Sequence, residues 1–146
     1  MPTYVVSAAA GRLDAQQKAR IAAGITEAHS QATGAQGFFA QVIFVPIAEG
    51  DHFLGGRPLK SDQIHVNGQI RAGRNAEQKR RLLDAIVELV TRAAQAEPRA
   101  VWVYIADVPP SQMVEYGRVL PEPGEEANWL QAMPDEDRAY LVGIAQ

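Results

Sequence analysis

The chain has 146 residues, 47% of them hydrophobic and 21% charged, which fits one globular domain and excludes two full-sized ones. With 14 Lys and Arg against 17 Asp and Glu, the net charge of -3 gives no general attraction to nucleic acid or an anionic membrane, so an anion site must be local. Cysteine is absent, which excludes disulfides, thiolate nucleophiles and Cys-ligated zinc and suits a reducing compartment.

The opening Met1-Pro2-Thr3-Tyr4-Val5-Val6 lacks the basic and apolar regions of a secretory signal. No run approaches the roughly eighteen apolar residues of a membrane-crossing helix, so a cytoplasmic location is expected. A small residue after the initiator Met permits its removal, which would leave Pro2 as a free secondary amine. Retention of Met1 would turn that nitrogen into an amide.

Tyr4-Val5-Val6-Ser7 is a short β-prone run. A helix is expected to open at Asp14, which stands three residues before Gln17 in the pattern of a capping box, and to end near Gly34. Its apolar face is Ile21, Ile25, Ala28 and Ala32. Ala40 to Val45 then reads as a strand of the kind buried on both faces. Strand, helix and strand make a βαβ unit with a right-handed crossover.

The second half repeats the first. Asp14 to Ile21 lies over Asn75 to Leu82, and Ala40 to Val45 over Ala100 to Ile105, at nearly equal offsets. Ile64 to Ile70 is then the strand matching the N-terminal one. The expected architecture is a mixed α/β (α+β) fold in one domain over 1–146, with βαβ repeats at about 2–46 and 63–107 and a tail over 108–146. Between the repeats, Glu49 to Pro58 reads as a loop with two exposed apolar residues. Pro109, Pro110, Pro121 and Pro123 make the tail irregular, with short helices around Trp129 and after Pro134.

Arg71 and Arg74 flank Ala72-Gly73 just before the Asn75 cap. Cations at a helix N-terminus oppose its dipole by roughly 0.3–1 kcal/mol each, so the pair either is solvated or serves an anion such as a carboxylate or phosphate. Gly73 would let the backbone approach that ligand closely. His29 lies beside the apolar face of helix one, as a core histidine or a functional one. Glu115 is a loop carboxylate, and Tyr104 is sheet packing unless its hydroxyl reaches a pocket. Pro2 could act as acid or base, depending on neighbours that burial and charge would bring to it.

Pro2, the doubled βαβ unit, His29, Arg71-Ala72-Gly73-Arg74, Trp102-Val103-Tyr104 and Met113-Val114-Glu115-Tyr116-Gly117-Arg118 together resemble the cis-3-chloroacrylic acid dehalogenase group of the tautomerase superfamily. The likeness runs over nearly the whole chain, including Leu54-Gly55-Gly56 and Leu120-Pro121-Glu122-Pro123-Gly124. It implies a homotrimer around packed sheets, with no cofactor or metal and a small carboxylate as substrate. By resemblance, Pro2 is the general acid toward the alkene α-carbon and Arg71, Arg74 and His29 bind the carboxylate. Glu115 with Tyr104 activates water at C3, and halide loss yields malonate semialdehyde. The alternatives it implies are a promiscuous keto-enol tautomerase, or a hydratase or decarboxylase of small unsaturated or 2-keto acids. A cytokine-like binding protein is the non-enzymatic one. One departure lies in Thr33 to Phe39, where Ala35 and Phe39 replace a hydroxyl residue and a Leu.

Overall fold

The computed structural model describes residues 2–34 and 40–144. Its centre is a four-stranded sheet in which two parallel pairs meet antiparallel at the middle. The strands are β1 (Thr3–Ala9), β2 (Gln41–Ile47), β5 (Ile64–Arg71) and β6 (Val101–Val108), in the order β2-β1-β5-β6. Helix α1 (Ala15–Thr33) links β1 to its parallel neighbour β2, and α2 (Ala76–Ala94) does the same for β5 and β6. The mixed α+β arrangement of two βαβ units is therefore as expected.

The duplication is visible in the caps. Asp14 accepts from the Gln17 amide at 2.7 Å while the Gln17 side chain accepts from the Asp14 amide at 3.0 Å. Asn75 and Gln78 repeat the arrangement at 2.8 and 3.0 Å. Each box satisfies two helix-end donors that have no partner within the helix. Helix α1 ends where Gly34 takes φ 72°, a left-handed conformation that a residue with a Cβ resists.

Both helices pack on one face of the sheet. Ile21 and Ile25 of α1 meet Leu82, Ile86 and Val90 of α2 over Tyr4, Val6, Ile64, Val66 and Ile70, all essentially without solvent exposure. Burial of each such side chain contributes roughly 1.5–3 kcal/mol, so this layer fixes where the strand ends stand. The other face is open. It presents Ile43, Val45, Trp102 and Tyr104 to solvent. Strand β2 is thus not buried on both faces within one chain: it lies at a sheet edge and its outward side chains have no covering layer.

Two predicted loops prove to be hairpins. Strands β3 (Phe53–Leu54) and β4 (Arg57–Pro58) pair antiparallel and leave Phe53 and Leu54 exposed. In the tail, β7 (Val114–Glu115) pairs with β8 (Arg118–Val119) across Tyr116 and Gly117. Those two turn residues have φ 53° and 73°, the positive values a tight two-residue hairpin requires. The tail ends in α3 (Glu126–Gln131) and α4 (Asp135–Ile144). No helix among the described residues is long and apolar enough to cross a membrane.

Candidate active site

The C-terminal end of β5 and the start of α2 carry the two arginines to one cavity of about 500 Å³. Arg71, the last residue of β5, is buried, and its Nη1 donates to the Pro121 carbonyl at 2.8 Å. Its Nη2 pairs with the carboxylate of Glu126, whose other oxygen accepts from the Gly124 amide at 2.8 Å. The tail therefore supplies Arg71 with an internal counter-ion. Gly73 has φ 109°, and a Cβ there would lie 2.8 Å from Cγ of Pro123, so the tail uses the space that the glycine leaves. The sequence had pointed to a ligand in that space.

Arg74 differs from its neighbour. Among the described residues it has no hydrogen bond or ion pair, although it lines the same cavity. Desolvation and the repulsion of Arg71 both pull its pKa below the usual guanidinium range, with Glu126 opposing. An unpaired guanidinium in a half-buried cavity favours an entering anion.

His29 also lines this cavity and is only 4% exposed. Its Nδ1 lies 2.8 Å from the hydroxyl of Tyr4. Burial first, then the positive charges of Arg74, the amino terminus and Arg71, lower its pKa from 6.5 to about 4. The ring is thus neutral at pH 7 and binds an anion only as a neutral donor.

Pro2, immediately before β1, is buried and borders a second cavity as well, of about 720 Å³. That second cavity is lined by Glu115, Tyr116, Gln41 and Gln69. The hairpin β7-β8 brings Glu115 there. Burial raises its pKa, while the amino-terminal charge and Arg71 pull it down. Burial therefore strengthens this carboxylate as a base, in reach of the Pro2 end of the chain. No group of three or more His, Asp or Glu side chains among the described residues is placed to hold a metal ion.

A sequence family described as "Putative oxalocrotonate tautomerase enzyme" matches residues 1–133. The crystal structure of N1, a member of the cis-3-chloroacrylic acid dehalogenase family, is 35% identical with a TM-score of 0.92, over 97% of this chain and 99% of N1. The chain belongs to the tautomerase superfamily, in its cis-3-chloroacrylic acid dehalogenase group. Native Ps01740 is 30% identical with a TM-score of 0.73, over 77% of this chain and 99% of its own. An asymmetric trimer of a fused 4-OT shares the fold at 24% identity and a TM-score of 0.75, over 80% of this chain and 94% of that one. None of the curated proteins compared matches the sequence.

In this tautomerase superfamily enzyme, four of the other five residues singled out by sequence gather around Pro2: His29, Arg71 and Arg74 on one side, Glu115 on the other. Tyr104 does not join them within one chain. It stands opposite Asn67 on β6, lines neither cavity, is 55% exposed, and sets its ring edge-on to His65 at 4.9 Å. Ala35 and Phe39 lie outside the described residues, as does Met1. Sequence reasoning missed two participants. Tyr4 read only as a strand former, its one signal being that it is a tyrosine in an otherwise aliphatic inward row. Glu126 carried no local signal, since only the folded tail sets it against Arg71.

Proposed function

We propose that this enzyme hydrates and dehalogenates cis-3-haloacrylates to malonate semialdehyde without a cofactor, as a cytoplasmic homotrimer. The observation that carries the reading is the position of Pro2 between the arginine-lined cavity and the Glu115 cavity. Hydration needs an acid and a base on opposite sides of a double bond, and a short substrate held by Arg74 would present its far end toward Glu115.

The steps follow from those positions. Arg74 binds the substrate carboxylate with His29, and Arg71 joins when that carboxylate displaces Glu126. Once Met1 is removed, protonated Pro2 delivers its proton to C2 as the C2–C3 π bond opens. Glu115 takes a proton from water as the water oxygen bonds to C3. The halohydrin so formed loses halide from C3 and the proton of its hydroxyl, leaving the aldehyde of malonate semialdehyde. Water and haloacrylate enter; semialdehyde, halide and one proton leave.

The open sheet face supports assembly. Ile43, Val45, Trp102 and Tyr104 form an apolar surface on the side opposite the helices, and an exposed patch of this kind marks an interface. Tyr104 can assist water activation only if another copy presents it, because it lines neither cavity of its own chain. A trimer in which these sheet faces pack together would provide that copy, and the fused 4-OT neighbour is itself a trimer.

The test is halide release from cis-3-chloroacrylate by protein whose intact mass shows loss of Met1. Pro2→Ala, Arg74→Ala and Glu115→Gln should each lower kcat/KM by about 100-fold or more. Unchanged rates in all three would overturn the mechanism. A keto-enol tautomerase using neutral Pro2 as base is the second reading, favoured by the description of the matching family. It requires Glu115→Gln to leave ketonisation of a phenylpyruvate-type enol nearly unchanged.

A further inference from the structure

The carboxylate cavity is served by a buried pair in which His29 meets a residue outside the six: the Tyr4 hydroxyl and His29 Nδ1 are 2.8 Å apart. Tyr4 is wholly buried, and its register partner across the antiparallel β1-β5 pair is Gly68. A Cβ at Gly68 would come within 2.5 Å of Tyr4 Cε1, so the phenol ring lies flat in the place a side chain would fill. The two rings meet edge to face, with centroids 5.9 Å apart.

We infer that Tyr4 is a positioning residue that fixes neutral His29 in the tautomer with its proton on Nε2, so that this N–H is the donor offered to a carboxylate in the cavity. A phenol has one proton to give, and among the described residues its hydrogen-bond partner is His29 Nδ1. If Nδ1 carried the proton instead, the hydroxyl would accept and its own proton would be left without a partner in the core. Burial also raises the Tyr4 pKa, so the phenol keeps the proton it donates. With Nδ1 engaged, Nε2 is the nitrogen left for the cavity that His29 lines.

The charged groups around His29 explain why a tautomer must be chosen at all. Arg71 ends β5, Arg74 precedes α2, and both, with the amino-terminal charge, disfavour an imidazolium. A cationic ring would donate from both nitrogens and need no selection. A neutral ring in the wrong tautomer would turn a lone pair toward the substrate carboxylate and repel it.

The role in carboxylate binding rests on the function proposed above, whereas the tautomer does not, and the experiment separates them. In protein labelled with 15N in its imidazoles, the His29 signals are assigned by their loss in His29→Gln. Long-range 1H–15N correlations at pH 7 should show a pyrrole-type Nε2 and a pyridine-type Nδ1 for His29. Tyr4→Phe should abolish that pattern in favour of a mixture or of Nδ1–H. Wild-type protein with Nδ1–H, or a Tyr4→Phe variant with an unchanged pattern, would overturn the inference. If Tyr4→Phe does not fold, the wild-type spectrum alone decides. With cis-3-chloroacrylate, Tyr4→Phe should raise KM about tenfold with a smaller change in kcat. The predicted tautomer in a protein that releases no halide would refute the dehalogenase reading and leave the Tyr4 assignment standing.

Discussion

Adding one methyl group at Gly68 tests the packing that holds the site together. Gly68 is not among the glycines with positive φ, so Ala meets no backbone objection there. The objection is steric. Its Cβ would lie 2.5 Å from Cε1 and 2.8 Å from Cδ1 of Tyr4, whereas carbon atoms pack at about 3.5–4.0 Å. An overlap near 1 Å against a fully buried ring forces either a separation of β1 from β5 or an off-rotamer Tyr4. Overpacking of this sort costs about 1–3 kcal/mol. Loss of the bond from Tyr4 to His29 adds about 0.5–1.5 kcal/mol. The reduced entropy of the unfolded chain returns about 0.4–1 kcal/mol. Gly68→Ala should therefore destabilise the protein by roughly 2–3 kcal/mol. Urea unfolding at fixed protein concentration measures it, because subunit association makes stability depend on concentration. Gly143→Ala is the control, since a Cβ there meets nothing within 4 Å. A Gly68→Ala protein as stable as Gly143→Ala would refute the account of Tyr4 as a wedged ring.

Two further outcomes follow from the charges in the cavity. Because the folded protein lowers the His29 pKa from 6.5 to about 4, the unfolded chain binds more protons in that window and stability falls as pH drops through it. Wild type should lose on the order of 2–3 kcal/mol more than His29→Gln between pH 7 and pH 4 in urea unfolding, and equal losses would contradict a buried neutral ring. Removing the internal counter-ion of Arg71 with Glu126→Gln should tighten binding of a small carboxylate such as malonate by about tenfold, as read by calorimetry. Unchanged affinity would show that the tail carboxylate does not compete for the arginine.

Short-range patterns in the sequence reach the elements and their order. Ile21, Ile25 and Ala28 fall on the buried face of α1, and the Asp14–Gln17 and Asn75–Gln78 boxes form as their spacing dictates. Those signals are local because one turn of helix or one strand contains both partners. Single-chain burial of β2 was not legible, since alternation of side chains does not say whether a strand lies at a sheet edge. The hairpin holding Glu115 was hidden by its length, two residues a side with Tyr116 in a conformation few tyrosines adopt.

By itself, the sequence determined two similar βαβ units, an N-terminal proline and a pair of arginines ahead of a capped helix. Tertiary structure alone decided which of those groups are engaged. Glu126 reaches Arg71 across 55 residues of chain, Tyr4 reaches His29 across 25, and Pro123 fills the space beside Gly73. It also left Tyr104 on the open face, away from Glu115. The reason is physical: a propensity or a cap is settled within a few residues, whereas the partner of a buried charge or hydroxyl is whatever the closed core places against it.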